Sequence, residues 1–207
     1  FYKTSTVIGE DDPYYRANVA PNGVVDITSL YAYLGSNLSR CQEIAALIQE
    51  GIKAGRKILV LSRGLAVLRT LKRFLPKAAF IHGGVHGSDR ERMVRGCDVI
   101  LSQMRLGEKA LNKPDLDMII LCHPVKRKET LQQIMGRELR ALPGKSQPIF
   151  VIIEDNAGPC IGMCRKLKKM ITSWPEAEGG PYGWGRIRST VGVGRDQAVG
   201  EERREGT

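Results

Sequence analysis

The segment Thr130-Leu-Gln-Gln-Ile-Met-Gly-Arg-Glu-Leu-Arg-Ala-Leu142 carries the side chains best suited to act on a phosphate. At roughly 100° per residue along a helix, Leu131, Ile134, Met135, Leu139 and Leu142 share one face, and Gln133, Arg137 and Arg140 share the opposite one. Gly136 lies between the faces, where glycine costs about 1 kcal/mol against alanine. Its presence points to close approach by another backbone or a ligand. A guanidinium is a rigid planar fork of donors matched to phosphate oxygens, so two of them one turn apart suit a polyphosphate. An ordinary solvated basic face explains the same spacing equally well.

Four polar clusters follow short apolar runs: Ser62-Arg63, His82-Gly83-Gly84, Ser102-Gln103 and His123-Pro124. Ligands of open parallel sheets bind at the carboxyl ends of the strands. Every strand must end in turn residues, so one such cluster says nothing, but four in succession favour a ligand-bearing edge. The densest positive runs are Lys126-Arg127-Lys128 and Arg165-Lys166-Leu167-Lys168-Lys169. For each, a solvated surface is the default reading.

Elements that would hold these residues follow from periodicity. Ile44, Leu47, Ile48 and Ile52 recur at helical spacing after Ser39 and Gln42, which have the spacing of a capping box, and Gly55 closes the helix. Apolar runs at 57–61, 78–81, 98–101, 118–122 and 149–153 then alternate with helical stretches at 65–74, 89–95 and 129–140. That alternation predicts a doubly wound α/β domain with a parallel sheet covered on both faces. Residues 1–38 read as an N-terminal linker or edge segment with a candidate strand at Val24–Ile27. Residues 39–174 form the domain, ending in a basic helix at 163–174. The Gly-rich stretch 175–207 reads as a disordered or loosely attached tail.

Composition narrows the classes. The 207 residues suit one domain. The 32 Lys and Arg against 22 Asp and Glu give a net charge of +10, which favours a polyanionic partner. No apolar run approaches the ~18 residues of a membrane span, and the start, Phe1-Tyr2-Lys3-Thr4, lacks a signal-peptide layout. A first residue other than Met suggests a fragment. Five scattered cysteines argue against a disulfide framework and for a reducing cytoplasm, that of a host cell if the protein is viral. Cys160 and Cys164 lack a second ligand pair, so no metal site is expected. Gly144-Lys145-Ser146 ends like a phosphate loop, but Leu139 stands where its first glycine belongs. Glu154-Asp155 reads as a plain strand end.

Gln133-x-x-Gly136-Arg137-x-x-Arg140 resembles motif VI of superfamily 2 helicases, and its neighbours keep the family's order. Lys57–Arg63 resembles motif IV, Ile81-His82-Gly83-Gly84 the following strand and loop, and Asp98–Ser102 through Leu111–Asp117 motif V. Met118–Pro124 is similar to the strand before motif VI. The resemblance spans roughly residues 24–155, is nearest to DNA helicases of the excision-repair and phage type, and concerns only their second RecA-like domain.

The resemblance implies half of an ATP-driven translocase. Arg137 and Arg140 would be arginine fingers, with Gln133, Gly136, Asn112 and Ala110 at the nucleotide. ATP and Mg²⁺ would be held mainly by a first RecA-like domain, in cis or in trans, so this chain alone would not hydrolyse ATP. Ser62, Arg63, His82, Gly83, Ser102, Lys126, Arg127 and Lys128 would grip a DNA strand, RNA remaining open. Motif V departs from the family's Gly-x-Asp-x-Pro by reading Ala110-Leu111-Asn112-Lys113-Pro114. Asn112 can still hydrogen-bond a ribose hydroxyl, whereas Ala110 crowds a backbone. The alternative is a non-catalytic nucleic-acid-binding module on the same fold.

Overall fold

Strands that are apolar along their length must be covered on both faces, and the central strands here, Ile58–Ser62 and Met118–Leu121, are buried at every position. The computed structural model describes residues 1–9, 11–18, 20, 23–106, 113–138 and 147–172. Within them the order is β1 (Tyr2–Ile8), α1 (Pro13–Ala17), α2 (Ile27–Ser36), α3 (Leu38–Lys53), β2 (Ile58–Ser62), α4 (Leu65–Phe74), β3 (Ala79–Ile81) and α5 (Gly87–Val94). It continues with β4 (Val99–Gln103), β5 (Met118–Leu121), α6 (Lys128–Glu138), β6 (Ile149–Ala157) and α7 (Pro159–Thr172). The strands form one sheet, β1-β6-β5-β2-β4-β3, in which every pairing is parallel.

Alternation along each strand separates two cores. Leu59, Leu61, Ile100, Ile119, Leu121 and Ile152 face one side, where Val94 of α5, Leu131 and Ile134 of α6, and Leu167 and Ile171 of α7 cover them. Ile58, Val60, Leu101, Ile120 and Ile153 face the other, under Cys41, Ile44 and Ile48 of α3 and Val67, Leu68 and Leu71 of α4. A third cluster, with Ile8, Leu30, Tyr31, Leu34 and Cys160, joins β1, α2 and the start of α7.

This is the doubly wound parallel α/β architecture expected from the alternation, with differences at its N-terminal end. Residues 2–8 form an edge strand beside β6. The candidate strand at Val24–Ile27 is instead the approach to α2, capped by Asp26, whose carboxylate accepts from the Thr28 amide at 2.9 Å. Asp26 wins because a capping carboxylate satisfies an otherwise orphaned helix donor. The cap of α3 is Asn37, which accepts from the Arg40 amide at 3.0 Å, rather than Ser39 two residues later. Gly55 ends that helix region at φ +73°, a left-handed backbone that favours glycine. The Gly-rich stretch 175–207 lies outside the described residues, as do Ala110, Asn112 and Arg140.

Candidate functional site

Between β2 and β5 the chain leaves neighbouring strands toward opposite faces. β2 feeds α4 on the α3 side, and β5 feeds α6 on the α7 side. Such a switch point opens a crevice at the carboxyl edge of a parallel sheet. Leu61 lies opposite Leu121 in register, so Ser62-Arg63 and Cys122-His123 emerge side by side. The Cys122 amide continues the ladder to Leu61 O at 2.9 Å.

The corner Cys122-His123-Pro124 is held residue by residue. Arg40, with no exposed surface, donates from Nη2 to Cys122 O at 2.6 Å. Its Nε and Nη2 also form a bidentate pair with Asp155, at 2.7 and 2.9 Å. Thr4 Oγ1 donates to the same carboxylate at 2.8 Å. The Tyr31 ring stacks on His123 with centroids 4.1 Å apart, and its hydroxyl donates to Pro124 O at 3.2 Å. Neither ring nitrogen of His123 has a hydrogen-bond partner among the described residues. Burial, then the Arg40 and Arg63 guanidiniums, push the imidazole well below its ordinary pKa and keep it neutral. Burial likewise pushes the Cys122 thiol up to about 12, which leaves it inert.

Sequence reasoning missed this clamp, although its signals were present. Arg40 falls on the apolar stripe of α3 with Ile44 and Ile48, and Asp155 alternates in phase with Ile153 along β6. A charge on a buried face asks for its partner, and each is the other's.

The expected site residues divide by burial. Arg63, Gly83, Lys126, Arg127, Lys128 and Gln133 are exposed, and His82 is half-buried. His82 Nδ1 accepts from the Gly84 amide at 3.2 Å, which leaves Nε2 as the ring's donor. The Gly83 amide donates to Gln103 Oε1 at 3.2 Å, tying the β3 and β4 loops together. Ser62 and Ser102 have no exposed surface. Their hydroxyls donate to Gly64 O and Gln103 O, at 2.9 and 3.2 Å, and so brace the strand ends. On α6, Leu131 and Ile134 are buried and Gln133 is exposed, as the helical spacing requires. Gly136 and Arg137 continue α6, Arg137 one turn beyond Gln133. The structure thus brings Arg63, the 126–128 run and the start of α6 to one edge, with His82 and Gly83 two strands away on the same edge.

Sheet order and flanking helices define an α/β domain with a RecA-like fold. Residues 41–142 match the family model of the helicase conserved C-terminal domain. No curated protein matches the sequence. A solved structure similar to the chain is the crystal structure of the C-terminal part of the Fun30 ATPase domain, at 14% identity and a TM-score of 0.49, covering 70% of this chain. The present chain spans 57% of the length of that one.

Proposed function

We propose that the chain is the second RecA-like half of an ATP-driven DNA helicase or translocase of the excision-repair and phage type. Arg137 and Arg140 act as arginine fingers on a nucleotide held by another domain, with Gln133, Asn112 and Ala110 lining the shared cleft. Arg63, His82, Gly83 and Lys126–Lys128 grip the phosphates of one strand. The observation that carries this reading is the switch-point corner: Arg63 and the 126–128 run flank it, and it leads into the helix bearing Gln133 and Arg137.

Bound ATP supplies the phosphoryl transfer whose free energy drives movement. The residues present suit an electrostatic partner to that group and do not suit its holder. The sequence has no phosphate loop. Asp155, a carboxylate late in β6, is buried and committed to Arg40, so it offers no face to Mg²⁺. What the chain's own groups do is orient and neutralise: a guanidinium aimed at developing charge stabilises the transition state without leaving its place.

The test is ATPase activity with and without a phosphate-loop RecA-like domain joined ahead of this chain. Residues 1–207 alone should show no turnover, and the joined protein should show nucleic-acid-stimulated turnover. Robust hydrolysis by the isolated chain contradicts the reading. An inert joined protein that still binds nucleic acid favours the non-catalytic binding module, the outcome toward which Ala110 points.

A further inference from the structure

The last described helix carries a charge pattern that the edge does not use. α7 contains no carboxylate, and its exposed positions are Gly162, Arg165, Lys166 and Lys169. Three cations therefore lie along roughly 6 Å of helix, at 1.5 Å rise per residue. The helix that presents them is firmly seated, with Cys160, Cys164, Leu167 and Ile171 all buried. Lys168, on the inner side, is already engaged: its Nζ lies 2.5 Å from Glu154 and 4.8 Å from the centroid of the Phe1 ring. Among the described residues neither Arg165 nor Lys166 makes an ion pair. α7 shares its core with α6, so its outer stripe lies on the face of the sheet to which the 126–128 loop leads.

We infer that the Arg165–Lys166–Lys169 stripe of α7 is a second docking surface for a nucleic-acid phosphate backbone, separate from the strand-edge grip. The inference rests on reading the protein as a nucleic-acid motor domain. A cluster of cations within one helical turn matches the charge density of a polyphosphate chain, and the net charge of +10 supplies the same sign at long range. The contact is to phosphates, so it is indifferent to base sequence and releases counterions. It holds nucleic acid on the protein while the edge lets go.

The test is a binding titration of the 207-residue chain against tailed DNA across a salt series. It compares wild type with R165E/K166E, with the edge variant K126E/R127E and with R69E/R73E. Arg69 and Arg73 are exposed on α4, on the opposite face of the sheet, so the last variant changes net charge equally. R165E/K166E should weaken binding at least tenfold at low salt. It should also flatten the slope of log K against log salt by about 1.8, two phosphate contacts at roughly 0.9 each. R69E/R73E should stay within about twofold of wild type. Equal losses in both pairs would reduce the effect to overall charge and overturn the α7 surface. Loss in K126E/R127E but not R165E/K166E would overturn it while sparing the edge. Absence of binding by folded wild-type protein at low salt would remove the surface and the motor reading together.

Discussion

Asp155 receives Arg40 through two parallel hydrogen bonds, 2.7 and 2.9 Å long, with neither side chain exposed to solvent. The pair ties α3 to β6, and its spare donor reaches Cys122 O at the end of β5. A buried ion pair contributes little net stability over a well-packed apolar pair, but breaking one side of it strands a charge. Its consequence here is positional: it fixes the strand end from which the 126–128 loop and α6 depart.

Arg40→Ala should therefore cost about 3–5 kcal/mol, read as a lower midpoint in urea unfolding. The double change Arg40→Met with Asp155→Leu should recover most of that loss, because no charge is left unpaired. A single mutant within 1 kcal/mol of wild type, as an order of magnitude for an exposed pair, would show that water reaches the carboxylate.

His123 should make folding sensitive to mild acid. Its folded pKa is depressed, so below the ordinary imidazole value of 6.5 the unfolded chain binds a proton that the folded chain refuses. Its contribution is full above that pH and declines as pH falls, by about 1.4 kcal/mol per unit. His123→Phe, which keeps a ring against Tyr31, should remove this slope between pH 6.5 and 5 in denaturation curves. An unchanged slope would mean that the imidazole is protonated or solvated in the folded protein.

Gly35 should resist any side chain. A Cβ there would lie 2.5 Å from the Val67 amide nitrogen and 2.9 Å from Ala66 Cβ, where α2 crosses α4. Gly35→Ala gains helix propensity but must push the helices apart, for a net loss of about 1–3 kcal/mol. Thermal melting measures it, and a rise in Tm would contradict the close crossing.

The central elements of the sheet were legible because each strand buries both faces, which leaves an unbroken apolar run bounded by helical periodicity. β1 was not. In Tyr-Lys-Thr-Ser-Thr-Val-Ile its inward positions are Thr4, Thr6 and Ile8, and only the last is apolar. Thr4 belongs inside because Asp155 awaits its hydroxyl, a reason no local pattern contains. The same holds for the site. Turn residues marked the carboxyl edge, and spacing placed Gln133 outward on α6. Residue type alone did not distinguish Arg63, which faces solvent, from Ser62, which does not. Arg40 carries the same charge as Arg63 yet holds the corner from inside, which depends on a partner distant in sequence.

The most direct measurement of the proposed function is nucleic-acid-stimulated ATP turnover by this chain joined to a phosphate-loop RecA-like domain, comparing Arg137→Ala and Arg140→Ala with wild type. Each change should lower turnover by ~10³-fold or more while DNA affinity stays within a few-fold. Lysine at either position should restore little, because one ammonium cannot reproduce the planar fork. Turnover unchanged by both alanine substitutions would contradict the account and return the Gln133–Arg140 face to ordinary surface.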